Sequence, residues 1–365
     1  MTRYSRRGVV TAGAAAIGAM ATAPLAGCTV DTASSDATGS DLTICAYAGA
    51  WSDTLREAVI SPFEEETGAT VNVVVGAPSE WLAQLRVADG QRPPFDLMAF
   101  TSDIVVQAAA LELIAPLQTD RIEHFEELSP TLVSAAGVDD TIYGVPLTTG
   151  TCGLMYRTDR ADRAPEDWSD ILDPQWGDFI GVPPFTYSPG LELLAGLLQE
   201  NGGSMDDENA VDEVFEQLAQ LSGRASVYPS DAGSMLSAIQ QGDAWVAPFW
   251  DGRAFAVADG GDPVGFSYPA SGGVGALTSY YLAAGTEREE LAYEFLGTLA
   301  RAENQKVFGE GTLYAAANLT IDYSEEFEAR IAHGEDVFES FAWVDYTQAI
   351  PRLEEWQTRW NGIFS

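Results

Sequence analysis

Lysine is almost missing from this chain: of its 18 basic residues only Lys306 is a lysine, and the rest are arginine. Histidine is nearly as scarce, with His124 and His333 alone, and cysteine occurs three times, at Cys28, Cys45 and Cys152. Against these stand 55 acidic residues, for a formal charge of -37 over 365 residues. Each shortage excludes something. Without a basic footprint, nucleic acid is not a partner, because affinity for phosphates rests on clustered Lys and Arg. With so few His and Cys, and no H-E-x-x-H or C-x-x-C, no metal site and no cofactor are expected. No G-x-S-x-G elbow is present, and Gly272-Gly273-Val274-Gly275 lacks the strand–helix setting of a dinucleotide fingerprint. Paired carboxylates such as glycosidases use carry no signal in a chain this acidic. Short-period repeats, which an adhesin or surface-layer component would show, are absent. Asn318-Leu319-Thr320 forms a glycosylation sequon, a pattern common by chance.

Long, strongly apolar runs are lacking too. Arg6-Arg7 precedes an uncharged, Ala- and Gly-rich stretch from Gly8 to Ala23, closed by Pro24. A membrane-spanning helix needs about 20 strongly apolar residues, so the layout reads as a signal segment over residues 1–27. The paired arginines resemble a twin-arginine export signal. Leu25-Ala26-Gly27-Cys28 resembles the lipobox of lipoproteins, which implies that Cys28 bears lipid and anchors the chain at the outer face of the membrane. Residues 28–40, poor in large apolar side chains, read as a flexible tether. Removing residues 1–27 takes away three arginines and no acid, leaving 15 basic against 55 acidic residues, a charge of -40. An acidic chain nearly free of lysine is expected in an extreme halophile. Cys45 and Cys152 would need Cα atoms within about 7 Å to bridge, and buried free thiols are the expectation.

The remaining sequence alternates. Residues 42–48 and 70–77 have β-like patterns, as do 95–100, and each is followed by a helical pattern: one capped by Ser52 and ending at Gly68, one opening near Ser79, one starting at Asp103. This rhythm predicts an open, mostly parallel α/β sheet with ligands outside the carboxyl ends of its strands. Residues 141–159 read as an extended segment leaving this first lobe. Strands at 179–185, 225–230, 244–250 and 264–269, with helices at 190–200 and about 207–222, build a second. Residues 271–285 carry the chain back. A helical pattern fills 287–308, and two terminal helices are expected over 325–362. The expected organisation is a two-lobe α/β clamshell with two hinge crossings. Lobe 1 is 41–147 plus 278–318, lobe 2 is 148–277, and a C-terminal helical segment, 319–365, packs on both.

Four stretches carry a family resemblance: "AGAWSDTLREAVISPFEEETGATVNVV", "YGVPLTTGTCGLMYRTD", "GDAWVAPFWDGRAFAVADGGDPVGFSYPASGG" and "LAYEFLGTLARAENQKVFGEGTLYAAAN". In this order and spacing they resemble the extracellular solute-binding proteins of ABC importers, in the group that holds spermidine/putrescine-binding and ferric-binding proteins. The resemblance implies a monomeric carrier, not an enzyme, that captures a small solute between its lobes and delivers it to a membrane permease. It places Trp250, Asp251 and Arg253 at the cleft, a flat aromatic wall beside a carboxylate, which suits an organic cation such as a polyamine. Trp51, Trp81, Asp103, Tyr187 and Tyr314 complete the expected ligand-binding set. Asp103 also suits a plain helix N-cap, and each aromatic suits plain packing.

Arg253 pulls the other way, since a guanidinium in the cleft favours a carboxylate or phosphonate, unless Asp251 neutralises it. Helix starts at Ser52, Ser79 and Ser188 add anion-friendly N–H groups. Both ligand charges therefore stay open. Tyr280-Tyr281 invites comparison with the adjacent tyrosines of ferric-binding relatives, but it lies on the returning crossing, and successive strand residues face opposite ways. With a charge of -40, stability depends on screening, whose length falls to about 3 Å at 1 M salt. The melting temperature is expected to drop below ~0.5 M salt. A melting temperature that stays flat from about 0.1 to 3 M would refute the halophilic reading.

Overall fold

The structure is a computed structural model and describes residues 41–88 and 92–364. The export segment expected over residues 1–27, the lipidation expected at Cys28 and the tether expected over residues 28–40 lie outside the described residues. Three strands open the chain: β1 (Asp41–Ala46), β2 (Thr70–Val75) and β3 (Leu97–Thr101), with β1 parallel to both others. The helix between β1 and β2 begins at Ala50 behind Gly49, so Ser52 is not its cap; its hydroxyl instead donates to Gly49 O from within the first turn. One π-helical turn, Arg56–Ile60, stands just before Pro62, whose ring nitrogen has no hydrogen to give the helical ladder. The helix closes at Gly68 in the left-handed region, with its N–H on Glu64 O.

The pivotal element is β4 (Gly144–Arg157), a fourteen-residue strand buried along nearly its whole length. Short strands β5 (Ile180–Gly181) and β6 (Ala225–Val227) follow, then β7 (Val246–Trp250), β8 (Val264–Ser267), β9 (Val274–Leu282) and β10 (Ala315–Ala316). Together they form one ten-stranded mixed sheet in the order β2-β1-β3-β9-β4-β7-β5-β6, with β8 and β10 also on β4. β9 runs antiparallel to β3 on one side and to the first part of β4 on the other. The second part of β4 pairs with β7 and β8.

Side-chain packing divides along these same strands. Val145 and Leu147 of β4 join a core with Leu42, Phe63, Phe100 and Phe295, whereas Cys152 and Leu154 join another with Trp168, Trp176 and Phe215. Met155 joins a third cluster with Met235 and Phe249. β9 divides likewise, Val274 with the second core and Leu277 to Leu282 with the first. These are two lobes with two strand crossings. Cys45 and Cys152 are buried free thiols.

Several elements differ from the sequence expectation. The strand expected over 179–185 shrinks to two residues, because Pro183 and Pro184 have no N–H for a ladder. The helical pattern at 287–308 breaks at Arg301, whose backbone is extended, giving helices Glu289–Ala300 and Ala302–Thr312. Three helices, not two, occupy the C-terminal region: Glu325–Glu328, Glu335–Ser340 and Tyr346–Phe364. Between the last two runs an extended strap that exchanges hydrogen bonds with β9, Gly275 N on Ala342 O and Ala342 N on Gly273 O. Phe338 and Phe341 pack in the first core, Ala342 and Val344 in the second. The strap is thus a third crossing, which the alternation of patterns gave no reason to expect. Asn318, in the sequon, is buried, its amide nitrogen donating to Glu127 and to Ala300 O. No helix among the described residues is long and apolar enough to cross a membrane.

Candidate functional site

Where the chain leaves the carboxyl ends of the strands, several helices begin around one cavity of about 420 Å³. Its floor is made by the crossing strands themselves, Thr148 and Gly150 from β4 and Gly275 to Thr278 from β9. Gly150 is needed there: a Cβ would stand 2.8 Å from the Tyr314 ring. From the first lobe come Tyr47 and Trp51, edge to face with centroids 5.0 Å apart. From the second come Tyr187 and Trp250, also edge to face, at 5.9 Å. Tyr314 and Tyr346 complete the aromatic lining.

Two carboxylates line the cavity. Asp103 sits in the first turn of the helix Ser102–Ala110 that follows β3, with Thr101 as N-cap residue and the Thr101 hydroxyl donating to its Oδ1. Burial raises its pKa, which that hydrogen bond partly offsets. Glu192 belongs to the helix Ser188–Glu200 and is 3% exposed. Trp250 Nε1 donates to its Oε2 at 3.0 Å and lies 3.3 Å from Oε1. Burial pushes Glu192 up to about 7, the Cys152 thiol and the Trp250 indole pull it down, and the charge of Asp103 adds to the rise. Among the described residues, the one cation in the lining is Arg253, in the helix Asp251–Asp259 after β7. Tyr314 feels its guanidinium directly, which offsets part of the burial-driven rise of that phenol.

Of the residues expected from sequence, Trp51, Asp103, Tyr187, Trp250, Arg253 and Tyr314 share this cavity. Trp81 and Asp251 do not line it. Trp81 is 1% exposed on the helix Pro78–Ala88, tilted against the Tyr47 ring at 5.8 Å, and so backs the wall instead of forming it. Asp251 is turned beneath the floor. Its Oδ1 accepts from Thr151 N and Gly252 N, and its Oδ2 from the Tyr268 hydroxyl, so it fastens the helix to β4 and does not neutralise Arg253. Tyr280 and Tyr281 are core residues, the Tyr280 hydroxyl bonded to Cys45 O. Sequence reasoning missed Tyr47, Glu192 and Tyr346. Glu192 had a usable signal, since it is the only charge in the ten-residue run Pro189–Leu198, every member of which is buried.

The sequence profile of the family described as bacterial extracellular solute-binding protein matches residues 58–334. The chain belongs to this family. The solute-binding protein is 22% identical over 274 residues to the spermidine/putrescine-binding periplasmic protein of Salmonella typhimurium, covering 74% of this chain and 76% of that one. Its fold matches an ABC transporter substrate-binding protein from Bradyrhizobium japonicum, with TM-score 0.73, 21% identity, and 89% and 100% of the two chains covered. A spermidine/putrescine ABC transporter substrate-binding protein from Streptococcus pneumoniae superposes with TM-score 0.70 at 18% identity, covering 87% and 99%. By family, the protein is an extracellular solute-binding protein.

These positions separate two roles that the sequence had joined. Asp251→Ala leaves the Thr151 and Gly252 N–H groups without their acceptor, while the Tyr268 hydroxyl keeps Arg330 O, and is expected to cost about 1–3 kcal/mol of stability. Trp250→Ala instead removes cavity wall and the Glu192 donor. Unfolding in denaturant together with ligand titration of both variants checks this, and the assignment fails if Asp251→Ala is as stable as the parent.

Proposed function

We propose that the solute presents an organic cation to the cavity, as a polyamine does, and is held between the lobes and released to a membrane permease. The observation that carries this reading is Glu192: a carboxylate buried among aromatic rings, with Asp103 acting on it from the opposite lobe. Leaving such a carboxylate ionised without a counter-charge is unfavourable, and an ammonium or guanidinium supplies that charge. Aromatic faces on both lobes add cation–π attraction of about 0.5–2 kcal/mol per well-placed ring. A volume of about 420 Å³ suits a small molecule. The relatives' names point the same way.

Because first-lobe and second-lobe groups face one solute, binding favours the closed arrangement of the lobes, with β4 and β9 flexing between them. The mature chain works as a monomer, lipid-tethered through Cys28, so that captured solute stays near the importer. Export follows the twin-arginine route. Replacing Cys28 by Ser is expected to abolish the diacylglyceryl mass increment and release the protein into the medium. Retention of that mutant on membranes would exclude the anchor.

The raised pKa of Glu192 gives the cation reading a pH signature. In the empty cavity, the folded state holds this proton more tightly than the unfolded chain. The resulting stability is full below about 4.5 and is lost as pH rises through about 7. Cation binding needs the ionised form, so affinity for putrescine is expected to fall by up to about tenfold per unit below pH 7 and to level off above pH 8. Titration calorimetry from pH 5.5 to 8.5 checks this. Glu192→Gln should bind more weakly at pH 8 and lose most of the slope, and a parent affinity independent of pH would remove Glu192 from the ligand.

A further inference from the structure

A simple cation leaves part of the cavity unused. Arg253 lines it and makes no ion pair among the described residues, although the chain carries 55 acids against 18 bases. Its nearest sequence acid, Asp251, is already occupied by Thr151, Gly252 and Tyr268. The Tyr187 hydroxyl, which feels the charges of both Glu192 and Arg253, is buried without a hydrogen-bond partner, although a phenol normally finds one when buried. The helices Ser102–Ala110, Ser188–Glu200 and Asp251–Asp259 all present their N-terminal ends at this cavity, adding positive potential. A diamine would therefore bring a second positive charge into a field that Arg253 already makes unfavourable, and would give the Tyr187 hydroxyl nothing to donate to.

We infer that the solute is a linear zwitterion, with an ammonium or guanidinium held by Glu192, Asp103 and the aromatic walls, and a carboxylate at its other end accepting from Arg253 and the Tyr187 hydroxyl. This rests on the cation-capturing reading above and adds a second pole to it. The planar guanidinium offers paired N–H donors that match a carboxylate, and Arg253, which has the neutral Tyr314 phenol beside it but no ion pair among the described residues, gives up no counter-ion to engage it.

The deciding experiment is titration calorimetry in about 2 M NaCl on the tethered-form protein lacking residues 1–27. The probes are putrescine, 4-aminobutanoate and succinate, with their five-carbon counterparts cadaverine, 5-aminopentanoate and glutarate. At least one amino carboxylate is expected to bind about tenfold or more tighter than the diamine and dicarboxylate of its length. Arg253→Gln should weaken the amino carboxylate about ten- to hundredfold, in line with loss of a charge-assisted hydrogen bond, and leave the diamine no weaker. Tyr187→Phe should weaken it several-fold. Diamines binding tightest, with Arg253→Gln harmless to every probe, would overturn the zwitterion and keep the cation reading. Dicarboxylates binding alone would overturn both. Failure of both amino carboxylates to bind would also overturn the zwitterion.

Discussion

A strand buried on both faces has to satisfy its backbone laterally and its side chains above and below, and β4 does this while passing from one hydrophobic core to another. Its first residues, Gly144 to Cys152, pair with β9, and from Cys152 to Arg157 it pairs with β7 and β8. Because each backbone group of a buried strand needs a partner, the lobes cannot slide freely at this point. They can bend about it. The return strand β9 changes register at Thr278/Ser279, beside the cavity floor. A third connection, the strap at Ala342, ties into the same strand, so every covalent path between the lobes passes close to the ligand cavity.

That placement explains why the cavity walls come in matched halves. Tyr47 and Trp51 follow β1, whereas Tyr187 and Trp250 precede helices of the second lobe, and each pair is braced edge to face within its own lobe. Trp51 also packs edge to face with Phe308 at 5.0 Å, and Trp81 backs Tyr47, so the first-lobe wall is held from behind. Preorganised walls matter for affinity because rings already fixed lose little rotamer freedom on capture. Asp251 contributes at one remove, by fixing the start of the helix that carries Arg253.

The two-lobe architecture was legible because it depends on long-range alternation of strand and helix patterns, and those patterns survive errors of a few residues at each boundary. The site was legible where a residue's place follows from being at the end of a strand, as with Trp51, Asp103 and Trp250. It failed where orientation decides. Asp251 and Trp250 are adjacent, yet one turns under the floor and the other faces the cavity, a difference that nothing in "FWDGRA" encodes. Trp81 sits at the right strand end but on the inner face of its helix. Tyr346 reaches the cavity only because a strap returns the chain there, and a strap of irregular backbone has no periodicity to read.

Glu192 shows why burial, and not residue type, carries the chemical information in so acidic a chain. With 55 carboxylates available, an acid as such says nothing, and nearly all of them gain by staying in water. This one has been taken out of water and given one indole N–H and a thiol as neighbours, which is too little to replace its hydration. The empty site therefore has two options: to hold a proton, or to wait for a cation that restores the lost electrostatic stabilisation. A neutral solute of the same shape does neither and leaves the unfavourable charge in place. If the solute is cationic, as proposed, selectivity against neutral sugars and alcohols follows from what the empty cavity lacks, and less from any contact such a solute would fail to make. The same reasoning applies with opposite sign to Arg253, carried by another helix of the same lobe. Two uncompensated charges of opposite sign in one cavity select more sharply together than either alone, because a solute must answer both at once.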